Sequence, residues 1–104
     1  MSAAWQVLFT RTAAKQAEAV LDWWVLERPA APRLFSEELA AAILRLSTMP
    51  GSGALSVSVA VWNVRRILLP KSRYHLYDTV EPDRREVIVR AVWHAVRGRG
   101  PELR

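Results

Sequence analysis

The side chains best equipped for chemistry sit in the second half of the chain: His75 and His94, with the arginines Arg65, Arg66, Arg73, Arg90, Arg97 and Arg99. An imidazole titrates near neutral pH and exchanges a proton readily. A guanidinium holds an anion without losing its own charge. These types serve either as an acid/base pair over a phosphate or as a surface that grips phosphate or carboxylate without reaction. Counted as alternation along an extended strand, His94 has the parity of Arg90, so both are expected on one face. Other templates fail. Pro50-Gly51-Ser52-Gly53 lacks the Lys-Ser/Thr and the helix of a phosphate-binding loop. Two distant histidines and no clustered carboxylates give no metal spacing. No serine lies in a nucleophile frame, and there is no cysteine. Neither a metal nor a cofactor is implied.

The net charge of +5 is unevenly distributed. Met1 to Val61 sums to zero, so Trp62 to Arg104 carries all of the excess. Such asymmetry favours an anionic partner, nucleic acid or an acidic protein segment, over charge kept only for solubility. A length of 104 residues leaves room for a single domain, 1–104. With 51% hydrophobic and 24% charged residues the chain is too apolar for disorder. The absence of cysteine rules out a disulfide framework and fits a reducing compartment. The longest uncharged run, Leu46 to Val64, is broken by Pro50, Gly51 and Gly53, which argues against a membrane span. The start lacks the basic stretch and apolar run of a secretory signal. A cytoplasmic protein is expected.

The elements that must carry these residues follow from periodicity. Trp5, Val7 and Phe9 alternate with Gln6, Leu8 and Thr10, a half-buried strand. Thr10 or Thr12 then caps a helix whose Ala17, Val20, Leu21 and Trp24 form one apolar stripe. Pro29 and Pro32 break it, and Pro32 suits the first turn of a second helix with stripe Phe35, Leu39, Ala42, Ile43 and Leu46. Pro50-Gly51 ends that helix. The short connection predicts an antiparallel helix hairpin. Leu55 to Val61 alternates as an extra strand or an ordered loop. Val64–Leu69, Tyr74–Val80 and Glu86–His94 read as strands, with turns at Pro70-Lys71-Ser72 and Glu81-Pro82-Asp83. The last strand, apolar on one face at Val87, Val89, Ala91 and Trp93 and on the other at Ile88 and Val92, is expected to be central. Arg97 to Pro101 reads as mobile. The fold class is α+β: an N-terminal strand, an antiparallel helix hairpin, then a three-to-four-stranded antiparallel meander. Trp5, Trp24 and Trp93 lie on core stripes, whereas Trp23 and Trp62 are candidates for an exposed interface.

That order of elements, with Val64-Arg65-Arg66-Ile67-Leu68-Leu69-Pro70-Lys71-Ser72-Arg73-Tyr74-His75-Leu76-Tyr77 and the ending Val92-Trp93-His94-Ala95-Val96-Arg97-Gly98-Arg99-Gly100-Pro101, resembles the RelE/ParE toxin family, ParE-like branch. The resemblance extends over nearly the whole chain. It implies the toxin of a bacterial type II toxin-antitoxin module, held inactive by a cognate antitoxin whose flexible segment wraps the helix hairpin and sheet. Ribosome-dependent members of this family cut mRNA, and ParE-like members poison DNA gyrase. Laid on the ribonuclease pattern, this chain keeps Arg66 but has Leu68 at the second basic position, His75 for an arginine, Val96 beside Arg97 for another, and no tyrosine after Tyr77. Gyrase inhibition by binding is therefore the expectation, without catalysis. The alternatives are an endoribonuclease using Arg66, His75, His94 and Arg97, and an inactive basic adaptor domain. In the binding reading Arg65, Arg66, Arg73, Arg90, Arg97, Arg99, Trp23 and Trp62 meet the partner. A homodimer is compatible with all three.

Overall fold

A computed structural model describes residues 4–57, 61–96, 100, 101 and 103. In chain order the elements are β1 (Gln6–Phe9), α1 (Arg11–Glu27), α2 (Leu34–Thr48), β2 (Ala54–Ser56), β3 (Val64–Leu69), β4 (Tyr74–Glu81) and β5 (Glu86–His94). A single 3-10 turn, Pro82–Arg84, joins the last two strands. The sheet runs β1-β5-β4-β3-β2. Its four later strands form the expected antiparallel meander, and β1 adds parallel to β5. No helix is long and apolar enough to cross a membrane among the described residues.

Thr10 links the first strand to the first helix. Its hydroxyl accepts the Ala13 N–H at 3.1 Å, satisfying one donor that the helix start would otherwise leave bare, while its own N–H donates to Val89 O of β5 at 3.0 Å. Both helices then lie on one face of the sheet. Ala13, Ala17, Val20 and Trp24 from α1 and Phe35, Leu39, Ala42 and Leu46 from α2 pack on Ile67, Leu69, Leu76, Val87, Val89 and Val92. Phe35, Leu46, Leu69, Leu76, Val87 and Val89 are fully enclosed. Burial of about 2 kcal/mol per such side chain makes this layer the main source of stability. The ion pair Arg33–Glu37, at 3.9 Å and largely exposed, contributes little beside it.

Three expectations need correction. α2 begins at Leu34 and not at Pro32, because the backbone between the helices makes two tight turns first: Ala31 N–H donates to Arg28 O, and Leu34 N–H donates to Ala31 O. The alternating run expected at Leu55 to Val61 is a short edge strand starting at Ala54 and ending at Ser56, and residues 58–60 lie outside the described residues. Gly53 precedes it because a Cβ there would stand 2.7 Å from Arg66 O.

The third correction matters most. Tyr77 pairs with Ala91 but Asp78 pairs with Val89, so Arg90 is an extra residue in β5, a bulge. Alternation therefore slips by one. Val87 and Val89 face the helices, and after the bulge so does Val92, whereas Ala91 packs on the opposite side with Val64 and Tyr77. Beyond the bulge β1 has ended, and Gln16 of α1 takes its place by accepting the Val92 N–H at 2.8 Å.

Glu38 ties α2 to the β3–β4 turn, accepting the N–H groups of Lys71 at 2.9 Å and Ser72 at 2.8 Å. Burial works to raise its pKa, but these two backbone bonds outweigh it and hold the group below its ordinary 4.5. A depressed carboxylate stabilises the fold above the unfolded value and loses that effect as pH falls through the folded one. Glu38→Ala is expected to cost about 1–3 kcal/mol in urea unfolding at pH 7, a difference that narrows as the pH is lowered towards 3.

Candidate partner-binding face

The face of the sheet turned away from the helices carries the chemistry. Alternation on β3 and β4 places Arg66 and Leu68, then His75, Tyr77 and Thr79, on this outer face, and β5 adds Ile88, Arg90, Ala91 and Trp93. Its centre is an apolar floor of Val64, Tyr77 and Ala91, with Trp93 and Val61 against it. Around that floor stand Arg66, the register neighbour of Tyr77, His75, the register neighbour of Trp93 and edge-on to the Tyr77 ring at 6.0 Å, and Arg90, whose Nε donates to Thr79 Oγ1 at 2.8 Å. Among the described residues no carboxylate makes an ion pair with any of them.

The two histidines part company at the bulge. His94 falls on the helix side, its ring edge-on to Tyr74 at 4.9 Å, and Tyr74 in turn packs on Phe35 of α2. Its Nδ1 accepts the Val96 N–H at 3.3 Å. The expected sharing of a face by His94 and Arg90 is thus overturned, because the inserted residue reverses the parity of everything after it. His75 remains on the outer face. Burial, then the charges of Arg66 and Arg73, hold its pKa below the ordinary 6.5 and so favour the neutral imidazole.

The arginines divide in the same way. Arg66 is exposed on the outer face. Arg65 points to the helix side, where its Nη1 donates to Gly53 O at 3.0 Å, so it serves the fold. Arg73 closes the β3–β4 turn with φ 66°, its N–H donating to Leu69 O and its carbonyl accepting from Ala95. Arg97 and Arg99 lie outside the described residues. Of the two interface tryptophans, Trp62 is 90% exposed and Trp23 43%, the latter under the Arg28 guanidinium at 5.1 Å. They belong to separate parts of the fold, one just before β3 and one on α1.

Sequence reasoning gives Asp78 no role. A signal was present, since Leu76, Asp78 and Val80 share the parity of an inward stripe. Asp78 is fully buried on the helix side, and neither carboxylate oxygen has a hydrogen-bond partner. Arg65 and Arg45 flank it, yet their nitrogens bond the Ser52 and Gly53 segment instead. Burial raises its pKa to about 6, against the lowering pull of the Arg65 and Arg45 charges. A raised carboxylate costs the folded state nothing below the unfolded value of 3.8, and a penalty grows from there to about pH 6. Asp78→Asn is expected to raise stability by about 1–3 kcal/mol at pH 7.5, with the gain gone below pH 4 when both forms are compared by denaturant unfolding.

Comparison with known proteins agrees with this architecture. The family described as "ParE toxin of type II toxin-antitoxin system, parDE" matches residues 7–98. No curated protein matches the chain by sequence. Among solved structures, the chromosomal ParDE TA system from P. aeruginosa is similar with a TM-score of 0.68 and 20% identity, covering 89% of this chain and 98% of that one. The RelBE2 toxin-antitoxin complex from Mycobacterium tuberculosis is similar with a TM-score of 0.63 and 17% identity, covering 90% and 94%.

Proposed function

Because the chain belongs to the ParE toxin family of type II toxin-antitoxin systems, we propose that it arrests growth by binding DNA gyrase through its outer face, without chemistry of its own. The observation that carries this reading is the separation of His75 from His94 by the sheet. Cleaving RNA without a metal needs a base and an acid within hydrogen-bond reach of one phosphate. Two imidazoles on opposite faces do not meet there. Leu68, an apolar residue 39% exposed beside Arg66, stands where a second cation would stabilise the crowded phosphate. What remains is a cationic rim around an aromatic and aliphatic floor, a composition suited to a protein surface bearing carboxylates.

A cognate antitoxin is the second partner. The two similar structures are of a ParDE TA system and a RelBE2 toxin-antitoxin complex. β2 pairs only with Val64 to Arg66, which leaves the outer edge of β3 from Ile67 to Leu69 without a strand among the described residues. Beside that edge runs an apolar cleft of about 270 Å³, lined by Ala41 and Ala42 of α2 and Ile67, Leu69 and Pro70. An extended peptide adds to such an edge through backbone bonds and sets side chains in the cleft.

One observation favours the ribonuclease alternative: His75 lies on the outer face in the field of Arg66 and Arg73, where burial and those charges favour its neutral form, the setting of a general base beside phosphate-binding cations. The two readings separate cleanly. Purified protein is expected to inhibit gyrase supercoiling and to leave ribosome-bound mRNA intact. Arg66→Ala should raise the half-inhibitory concentration about tenfold, the loss of one anchoring contact, while His94→Ala changes it less than about twofold. Cleaved mRNA with gyrase unaffected, the cleavage abolished by His75→Ala, would overturn the gyrase reading.

A further inference from the structure

The outer face already has an occupant. Leu103, well beyond β5, is buried against Val64, Tyr77 and Ala91. Gly100 lies against the same surface, since a Cβ there would stand 3.8 Å from the Tyr77 hydroxyl oxygen, and Pro101 is half-buried. The stretch expected to be mobile therefore includes residues that dock, although 97–99 are outside the described residues. An aliphatic side chain seals the apolar floor and leaves the cationic Arg66 and Arg90, with His75, around it.

Any target that reaches over this rim must set its own apolar group on the same floor. One place then has two claimants. The seat is also weak. A single buried leucine biases a segment towards docking by about one to two orders of magnitude, and ordering several residues of backbone takes part of that back. Such a contact excludes a competitor without locking the face.

We propose that Gly100, Pro101 and Leu103 belong to an intramolecular strap, anchored by Leu103, that covers the floor of the outer face and must be displaced before that face engages its target. The proposal rests on the reading that the outer face is the target-binding surface. It makes potency depend on a segment that contributes nothing to the helix-side core, and it predicts that loosening the segment strengthens the toxin.

Leu103→Asp is the direct test. The rate of Tyr77 nitration by tetranitromethane, with Tyr74 as internal reference, is expected to rise about tenfold. The amount of protein that arrests growth, on induced expression without an antitoxin, is expected to fall by a similar factor, and Leu103→Met should leave both quantities within about twofold. Tyr77 that nitrates equally fast in the unaltered chain shows that the strap is not seated, and ends the proposal. Faster nitration with unchanged or weaker arrest shows that the segment does not restrain the face, and ends it as well. Gyrase inhibition by the unaltered chain, measured alongside, reports on the gyrase reading alone: its absence removes that target and leaves nitration and growth to judge the strap.

Discussion

β5 carries one more residue than β4 across the step from Tyr77 to Asp78, and the side chains on either side of that step answer to different layers. Before it, Val87 and Val89 lock onto the helices. After it, Val92 does so, and Ala91 turns to the outer face with Tyr77. Without the insertion, Val89, Ala91 and Trp93 would share a side, Trp93 would be driven under α1, and His94 would emerge beside Arg90. A one-residue slip in a strand exchanges its faces completely. The bulge confines that exchange to half of β5, so the same strand supplies core to the helices at both ends and a platform to the outer face at one. Gln16 follows from this arrangement, because the edge of β5 beyond β1 needs an acceptor for the Val92 N–H, and α1 is the element within reach.

The two carboxylates that lie between α2 and the sheet illustrate how differently burial treats the same group. Glu38 sits at a turn where two backbone N–H groups converge, so its charged form is solvated by protein and folding favours ionisation. Asp78 sits close to the Arg45 and Arg65 charges but with no donor bonded, so folding favours its neutral form. Proximity of guanidinium groups does not compensate when those groups spend their hydrogen bonds on the Ser52 and Gly53 segment. Stability as a function of pH is thus the difference of two opposed slopes. A buried, unbonded carboxylate is a cost that the fold carries, and the adjacent arginines offset it only in part.

On the outer face the balance is between charge and apolar area. Arg66, His75 and Arg90 surround a floor that no helix covers, and without Leu103 the aliphatic and aromatic groups at its centre would meet water. A cationic rim resists self-association through the sheet, while the floor supplies the area that a specific contact needs. In the proposed reading the face is poised between occupancy by its own chain and occupancy by another.

Much of this was readable from residue order. Strand and helix periods located β1, both helices and the last three strands, because a half-buried strand and an amphipathic helix must alternate with periods near two and 3.6 to bury one side. A cap at Thr10 or Thr12, the breaks at Pro29 and Pro50, and the positive charge of the second half are local properties and needed no tertiary information. The resemblance carried by the order of elements and by the Val64 to Tyr77 and Val92 to Pro101 stretches led to the same family that the match over residues 7–98 establishes. What alternation alone could not yield was the bulge at Arg90, and with it the partition of His75 from His94, since an insertion is defined only against the partner strand. Alternation put Arg65 and Arg66 on opposite faces, but it could not reveal that Arg65 lies beside Asp78, that Glu38 captures the turn at Lys71 and Ser72, or that Leu103 docks on Tyr77. Each of these joins residues distant in sequence. Their pairing is decided by register and packing in three dimensions, where a carboxylate or an aliphatic side chain finds whatever partner the fold brings within contact.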